Sequence, residues 1–282
     1  MASGRLIIRG GLPPRLVGLP KWGEQHLGYP PEGAQDQTSL CTVNTLLGQE
    51  NLPCLEMMLP PMAVEFKGAG WLAVAGADHL LKIDGQVVSA GRVIRVEDGS
   101  KLSVQPNGLG ARLYLQMAGG VILSEGEFLY DDLVECSEER ILSEPDWWPE
   151  SGVLRVLPGP EWDWLKDADL ESVWRVDPRS DGQGLRLDGP VSGRGLNRDD
   201  AREMLSGPVF DGTVQLSPKG PICLLRGRQC VGGYPRVLQI IECDVDRLAQ
   251  FLPGQLLMFQ LVTLEEAQDL NVTYRSFLTS EN

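Results

Sequence analysis

Histidine is almost missing from this sequence, with only His26 and His79. The six cysteines at 41, 54, 136, 223, 230 and 243 show no C-x-x-C step. Neither residue type falls at zinc-like spacing, so no metal site is expected and the thiols should be free and mostly buried in a reducing compartment. Positive charge is also short: 25 Lys and Arg stand against 39 Asp and Glu, a formal charge of -14, and the cations are scattered singly, as at Arg5, Arg9 and Arg15. So acidic a surface repels phosphate backbones and anionic lipid, which excludes nucleic acid and membrane as expected partners. No apolar run approaches the roughly 20 residues of a membrane span, and MASGRLIIRGG has no apolar signal core. The expected location is cytoplasmic. GxxxxGK[ST], a strand-turn-helix GxGxxG and G-x-S-x-G are all absent, and with 39 carboxylates composition singles out no general acid or base.

Glycine (33) and proline (20) are plentiful and spread along the chain, which favours short strands joined by turns. Strand-length apolar segments are predicted at Trp71–Ala75, Val87–Val96, Leu113–Met117, Val153–Leu157, Ile222–Leu225, Val237–Ile241 and Leu256–Val262. Asp84-Gly85 between LLKI and QVV predicts a hairpin. Helices are few. The spacing predicts one over 39–49 capped by Thr38 or Ser39, a short one over 198–207, one over 244–254 with Asp244 as N-cap, and one over 264–270 capped by Thr263.

The stretch CSEERILSEPDWWPESG (136–152) is charged, proline-bearing and without alternation. It predicts a boundary between an N-terminal β-rich domain (1–140) and a C-terminal β-rich domain (150–282), with Trp147-Trp148 read as a packing anchor. The fold class is therefore mainly β with a few short helices.

In the last third, Gly212-Thr213-Val214-Gln215, Pro218, Gly220-Pro221, Gln229, Gly232-Gly233-Tyr234-Pro235, Asp244, Leu248-Ala249-Gln250 and Pro253-Gly254 follow one another at ordered spacing. This pattern resembles the biotin-dependent carboxyltransferase family that includes allophanate hydrolase subunit 2, the matching half of urea amidolyase, and the C-type subunit of 5-oxoprolinase. The resemblance continues upstream through GVLRVLPGPEWDWL, through Ser180, Gly184, Arg186, Leu187 and Gly189, and through Gly33-Ala34, Asp36, Asn44, Gly48 and Leu55-Glu56. It covers most of the chain.

The departures are chemical. After Ala118-Gly119-Gly120 the family carries Gly-Ser-Arg-Ser-Thr, where this chain has ILSEGEFLYDD. The family's N-terminal Gln-Asp-x-Gly-Arg element is missing, with VGLPKWGEQHLG in that region. Its Arg-Met step is Gly182-Gln183 here, and its Asp-x-Gln-Thr-Thr before the glycines is Gly227-Arg228-Gln229-Cys230-Val231. Arginine, hydroxyl and carboxylate groups have been lost while the residues that shape the fold remain.

The resemblance implies two tandem cyclophilin-like β-barrel domains. It implies a divergent subunit of an ATP-dependent amidohydrolase or carboxyltransferase complex, of the 5-oxoprolinase C type or the allophanate hydrolase subunit 2 type. Such a subunit works with a homologous subunit 1 (the B type of 5-oxoprolinase) on a small carboxylate or amide substrate. ATP is implied as a cofactor through the complex. Biotin is admitted by family and supported by no residue here. The alternative is a catalytically reduced binding or regulatory subunit of the kinase-inhibitor-antagonist type. Arg186, Gln215, Gln229, Gly232, Gly233 and Tyr234 are the expected substrate-binding residues, with Arg186 and Gln229 expected on one concave surface. Each also has a structural reading: Arg186 as half of an ion pair, Gln215 as strand edge, Tyr234 as core.

Overall fold

The computed structural model describes residues 4–58, 60–107, 110–136, 151–198 and 204–279, with the side chains of 166 and 198 left aside. The boundary stretch with Trp147-Trp148 and most of the helix expected over 198–207 lie outside the described residues. By internal contacts the chain divides into two units. One comprises 1–19, 36–144 and 277–282, and the other 20–35 and 145–276.

In the first unit, strands 121–124, 127–130, 4–10, 62–67, 101–105, 80–83 and 86–88 form a seven-stranded sheet in that spatial order. A five-stranded sheet runs 15–17, 54–58, 112–117, 70–76 and 93–96. Phe66, Leu102 and Val64 from one sheet and Leu72, Leu113 and Leu115 from the other share one buried cluster. The expected hairpin forms, with Asp84 at φ 50 and Gly85 at φ 86, the left-handed pair a two-residue turn requires. The run Val87–Val96 is two strands, not one: the chain leaves the first sheet after Val88, and Gly91 at φ 74 donates to Val74 O before strand Val93–Val96 joins the second.

Helix Gln37–Leu47 starts on neither Thr38 nor Ser39. Asp36 is the N-cap: its carboxylate accepts the Ser39 N–H at 2.9 Å and the Ser39 hydroxyl at 2.7 Å. A carboxylate outranks a hydroxyl there because it accepts both donors and complements the positive helix end. The helix ends on Gly48 at φ 67 and packs on strands 70–76 and 112–117. Strand Arg112–Met117 is buried along its whole length, because Leu113, Leu115 and Met117 face the core while Gln116 bonds Asn44 of the helix.

The second unit is a closed seven-stranded barrel, in the order 153–158, 236–240, 213–217, 220–224, 184–192, 173–176 and 256–261. A parallel pairing of Val153–Pro158 with Leu256–Leu261 closes the ring, so no strand edge is left open. The interior is filled by Leu154, Val156, Trp174, Val214, Leu216, Leu238 and Phe259. The helix expected over 244–254 is a 3-10 turn, Glu242–Asp244, leading into Val245–Leu248, and Asp244 makes no side-chain cap. Its carboxylate is taken by Arg155 instead, accepting the backbone N–H at 2.8 Å and Nε–H at 3.0 Å. The last helix, Leu264–Thr279, is more than twice its expected length. It opens on a capping box: Thr263 Oγ1 accepts the Glu266 N–H, and Glu266 accepts the Thr263 N–H at 2.7 Å. Among the described residues no helix is long and apolar enough to cross a membrane.

Candidate functional site

Val214 and Leu216 point into the barrel, so Gln215 between them points out. It is nevertheless only 1% exposed, because the bend at Gly232-Gly233-Tyr234-Pro235 lies over it. Gln215 Nε2 donates to Tyr234 O at 3.2 Å, and Gln229 Nε2 donates to Gln215 Oε1 at 3.5 Å. A Cβ on Gly232 would stand 2.3 Å from Gln215 Nε2, so the bend needs a glycine to approach the amide. Gly233 has only Ser206 Oγ nearby, at 3.3 Å from such a Cβ, and Tyr234 is exposed.

Across the barrel wall Gln215 pairs in register with Ile222, and Ile222 with Arg186. Arg186 therefore shares the outer face with Gln215, two strands away, about 10 Å at the usual strand spacing. Both Arg186 and Gln229 are exposed. Four expected residues (Gln215, Gln229, Gly232, Tyr234) thus meet around one amide. Gly233 follows in the same bend, and Arg186 stands in the adjoining row.

The bend is held by ions the sequence did not single out. Glu161 accepts from Arg236 backbone N–H at 2.9 Å and from its Nη2 at 2.6 Å, while Arg236 Nη1 donates to Pro208 O at 2.8 Å. Pro208 belongs to the short strand Gly207–Pro208, which pairs with Val231–Gly232. The Arg236 hydrogen bonds hold the Glu161 carboxyl below its ordinary range. Arg228 is 2% exposed, its Nε 2.8 Å from Asp211 Oδ1, and its Nη1 donates to Gln229 O at 3.2 Å, which fixes the backbone that presents Gln229. Deeper, Arg226 pairs with Asp246 at 2.8 Å, and its guanidinium donates to Gln35 O and Tyr274 OH. Burial, then the Asp246 charge, raises the Tyr274 phenol well above its usual value. No local pattern marks these arginines; only their long-range acid partners do.

Two family departures meet in space. A Cβ on Gly227, where the family has Asp, would stand 2.7 Å from the carbonyl oxygen of Gly182, where the family has Arg. The arginine-bearing family loop is likewise replaced by a tight hairpin, with Glu125 at φ 51 and Gly126 at φ 83 joining strands 121–124 and 127–130.

The first unit holds a second buried polar network. Tyr114 donates to Glu56 Oε2 at 2.7 Å, and its oxygen accepts the Asp36 N–H at 2.8 Å. Burial first, then the Glu56 and Asp36 charges, push the Tyr114 phenol well above its usual value, so it stays protonated and donates. Asn44 Oδ1 accepts from Gln49 at 3.0 Å and Gln116 at 3.1 Å. These bonds explain why Asp36, Asn44 and Glu56 belong to the pattern: they fasten the helix to its sheet. All six cysteines are free, and burial pushes the Cys223 and Cys243 thiols up, leaving them unreactive. Among the described residues no three His, Cys, Asp or Glu are grouped to hold a metal.

The family model for the carboxyltransferase domain, subdomain A and B, matches residues 27–126 and 131–261. The chain is 33% identical to the C-type subunit of 5-oxoprolinase from Escherichia coli, over 93% of this chain and 92% of that protein. It is 30% identical to the same subunit from Haemophilus influenzae, over 89% of each. Urea amidolyase of Saccharomyces cerevisiae is 22% identical over 88% of this chain, which corresponds to 16% of that longer protein. Among solved structures, the urea amidolyase of K. lactis superposes with a TM-score of 0.82 at 19% identity, over 97% of this chain and 20% of that one. Another solved structure, at 27% identity and a TM-score of 0.77, is spanned over 56% of its length.

Proposed function

The chain belongs to the family of carboxyltransferase domains with subdomains A and B, and from that premise we propose that it is the C-type subunit of a cytoplasmic 5-oxoprolinase-type complex. Such a complex couples ATP hydrolysis to opening of a lactam amide, and this chain acts in it beside a homologous B-type subunit. The observation that carries the reading is the bend: the Gly232 backbone set on Gln215, with Gln229 bonded to the same amide and Arg186 on the same outer face. In this role Gln229 and Arg186 supply hydrogen-bond donors to a carbonyl or carboxylate of the substrate. Gly233 leaves backbone open to it, Tyr234 lines it, and Gln215 holds the bend rather than touching substrate. The residues do not fit ATP themselves: no phosphate loop exists, and Arg186 is the lone exposed cation among the six candidate residues. ATP is therefore assigned to the complex and no step here is routed through it. Biotin has no assigned residue.

The test is to co-express the full chain with its B-type partner and the remaining subunit, then measure 5-oxoproline-dependent ATP hydrolysis. The expected outcome is a stable complex whose hydrolysis falls about tenfold or more in Gln229→Ala and Arg186→Ala, with thermal stability unchanged. A stable complex with no 5-oxoproline stimulation would sink the catalytic reading. The close approach of Gly227 to Gly182, two positions at which the resembled family pattern carries charge, favours a second reading in that event, a catalytically reduced regulatory subunit.

A further inference from the structure

We infer that Gln229 is the specificity residue of the bend: its side-chain oxygen reads an N–H of the substrate, so the site selects an amide whose nitrogen carries hydrogen, such as a lactam, over the matching lactone. The inference deepens the function proposed above and rests on its reading of the bend as a substrate site.

The polarity of the two amides is set from the backbone outward. Tyr234 O is a carbonyl oxygen and can only accept, so it draws the Nε2 end of Gln215, which donates to it at 3.2 Å. The Oε1 end of Gln215 is then the one that meets Gln229, and it too can only accept. Gln229 therefore turns its Nε2 inward, at 3.5 Å from that oxygen. Gln215 is buried under the bend with the Gly232 backbone against its Nε2, so the order is not free to reverse. Gln229 is exposed, and its Oε1 accepts no hydrogen bond among the described residues. What the pair leaves for a ligand is that acceptor, together with the second N–H of the same amide.

The 3.5 Å bond is too long to place the side chain by itself. Position comes from the chain on either side. The Arg228 N–H donates to Leu225 O at 3.1 Å, and its buried guanidinium lies 2.8 Å from Asp211 Oδ1 and donates to Gln229 O. On the other flank Cys230 O accepts the Val209 N–H at 3.1 Å. An amide carried on so fixed a backbone loses little freedom when a ligand arrives. Its oxygen accepts from a lactam N–H, but meets the ring oxygen of a lactone with lone pairs against lone pairs. A site built to hydrogen-bond an N–H rejects the analogue that lacks it. Because Gln229 is open to water, the expected discrimination is about tenfold.

The test titrates the assembled complex, without ATP, with 5-oxoproline and with its lactone counterpart, 5-oxotetrahydrofuran-2-carboxylate, which exchanges the N–H for oxygen and keeps the ring and the carboxylate. The expected result is lactam binding about tenfold tighter than lactone binding in the wild type. Gln229→Ala should weaken the lactam about tenfold and leave the lactone within about twofold, so that the preference vanishes. Gln215→Ala, which keeps Gln229 but frees its amide to turn, should cut the preference to about threefold or less. A purely structural role would weaken both ligands alike. The inference is overturned if the wild type binds both ligands equally, if the preference survives in Gln229→Ala, or if it is unchanged in Gln215→Ala. Should Gln215→Ala fail to fold, the exposed Gln229→Ala decides. In each of these cases retained 5-oxoproline-dependent hydrolysis leaves the proposed function standing, whereas a wild-type complex that neither binds the lactam nor hydrolyses ATP in response to it overturns both.

Discussion

Replacing Gly232 with alanine is the most direct perturbation of the bend. The backbone there is not in the left-handed region, so the whole cost is steric and polar. The new methyl would stand 2.3 Å from Gln215 Nε2, 3.1 Å from its Cδ and 3.1 Å from Val209 Cγ1. Gln215 is buried and cannot swing into solvent, so the bend must lift or the amide must turn. Overpacking of this kind costs about 1–3 kcal/mol. Turning the amide breaks its bond to Tyr234 O and leaves a buried donor unmet, a further 1–3 kcal/mol or so. The expected loss is about 2–4 kcal/mol, read as a shift in the urea midpoint at constant slope. In a Gln215→Ala background the same substitution should cost less than about 1 kcal/mol, because the obstructing amide is gone. A loss below about 0.5 kcal/mol in the wild-type background, or the same loss in both backgrounds, would refute the idea that this glycine exists to admit Gln215.

Three further perturbations follow from other contacts. Asp244→Ala strips the partner from the part-buried Arg155 guanidinium and its backbone N–H, and should cost about 3–5 kcal/mol by chemical denaturation; a loss under about 1 kcal/mol would refute a stabilising role for the pair. Asp36→Ala removes the acceptor of both Ser39 donors at the helix start and should cost about 1–2 kcal/mol in the melting of the full chain. Glu161 has its folded-state pKa depressed below the ordinary 4.5, chiefly by the Arg236 hydrogen bonds, so its contribution is present above about pH 4.5 and is lost as pH falls through the folded value. Glu161→Gln should therefore flatten the acid side of the stability profile below about pH 4.5, and an unchanged slope would show the pair to be inert.

The helix caps show where local pattern stopped being informative. Thr263 with Glu266 is a capping box within four residues, and it formed as the pattern predicts. Thr38 and Ser39 also looked like caps, yet the cap is Asp36. Its place is set by an N–H bonded to Tyr114, 78 positions away. Asp244 likewise sits where a cap belongs, and its carboxylate is held by Arg155 from 89 positions away. Gln215, Gln229, Gly232 and Tyr234 were legible as candidates through the family resemblance, but their order of contact was not. The charged supports Glu161, Arg226, Arg228 and Asp211 carry no local signature at all.

The sequence by itself determined the mainly β class, the turn at Asp84-Gly85, most of the strand runs and the family. Period-two alternation and glycine's left-handed freedom act within a few residues and need no partner. Only the tertiary structure decided what those residues meet. Closing the barrel put Gly232 on the Gln215 amide and brought Gly227 against Gly182. Contacts of that kind depend on which strands pair and in what register, and that is settled by burying one shared core rather than by any short stretch of chain.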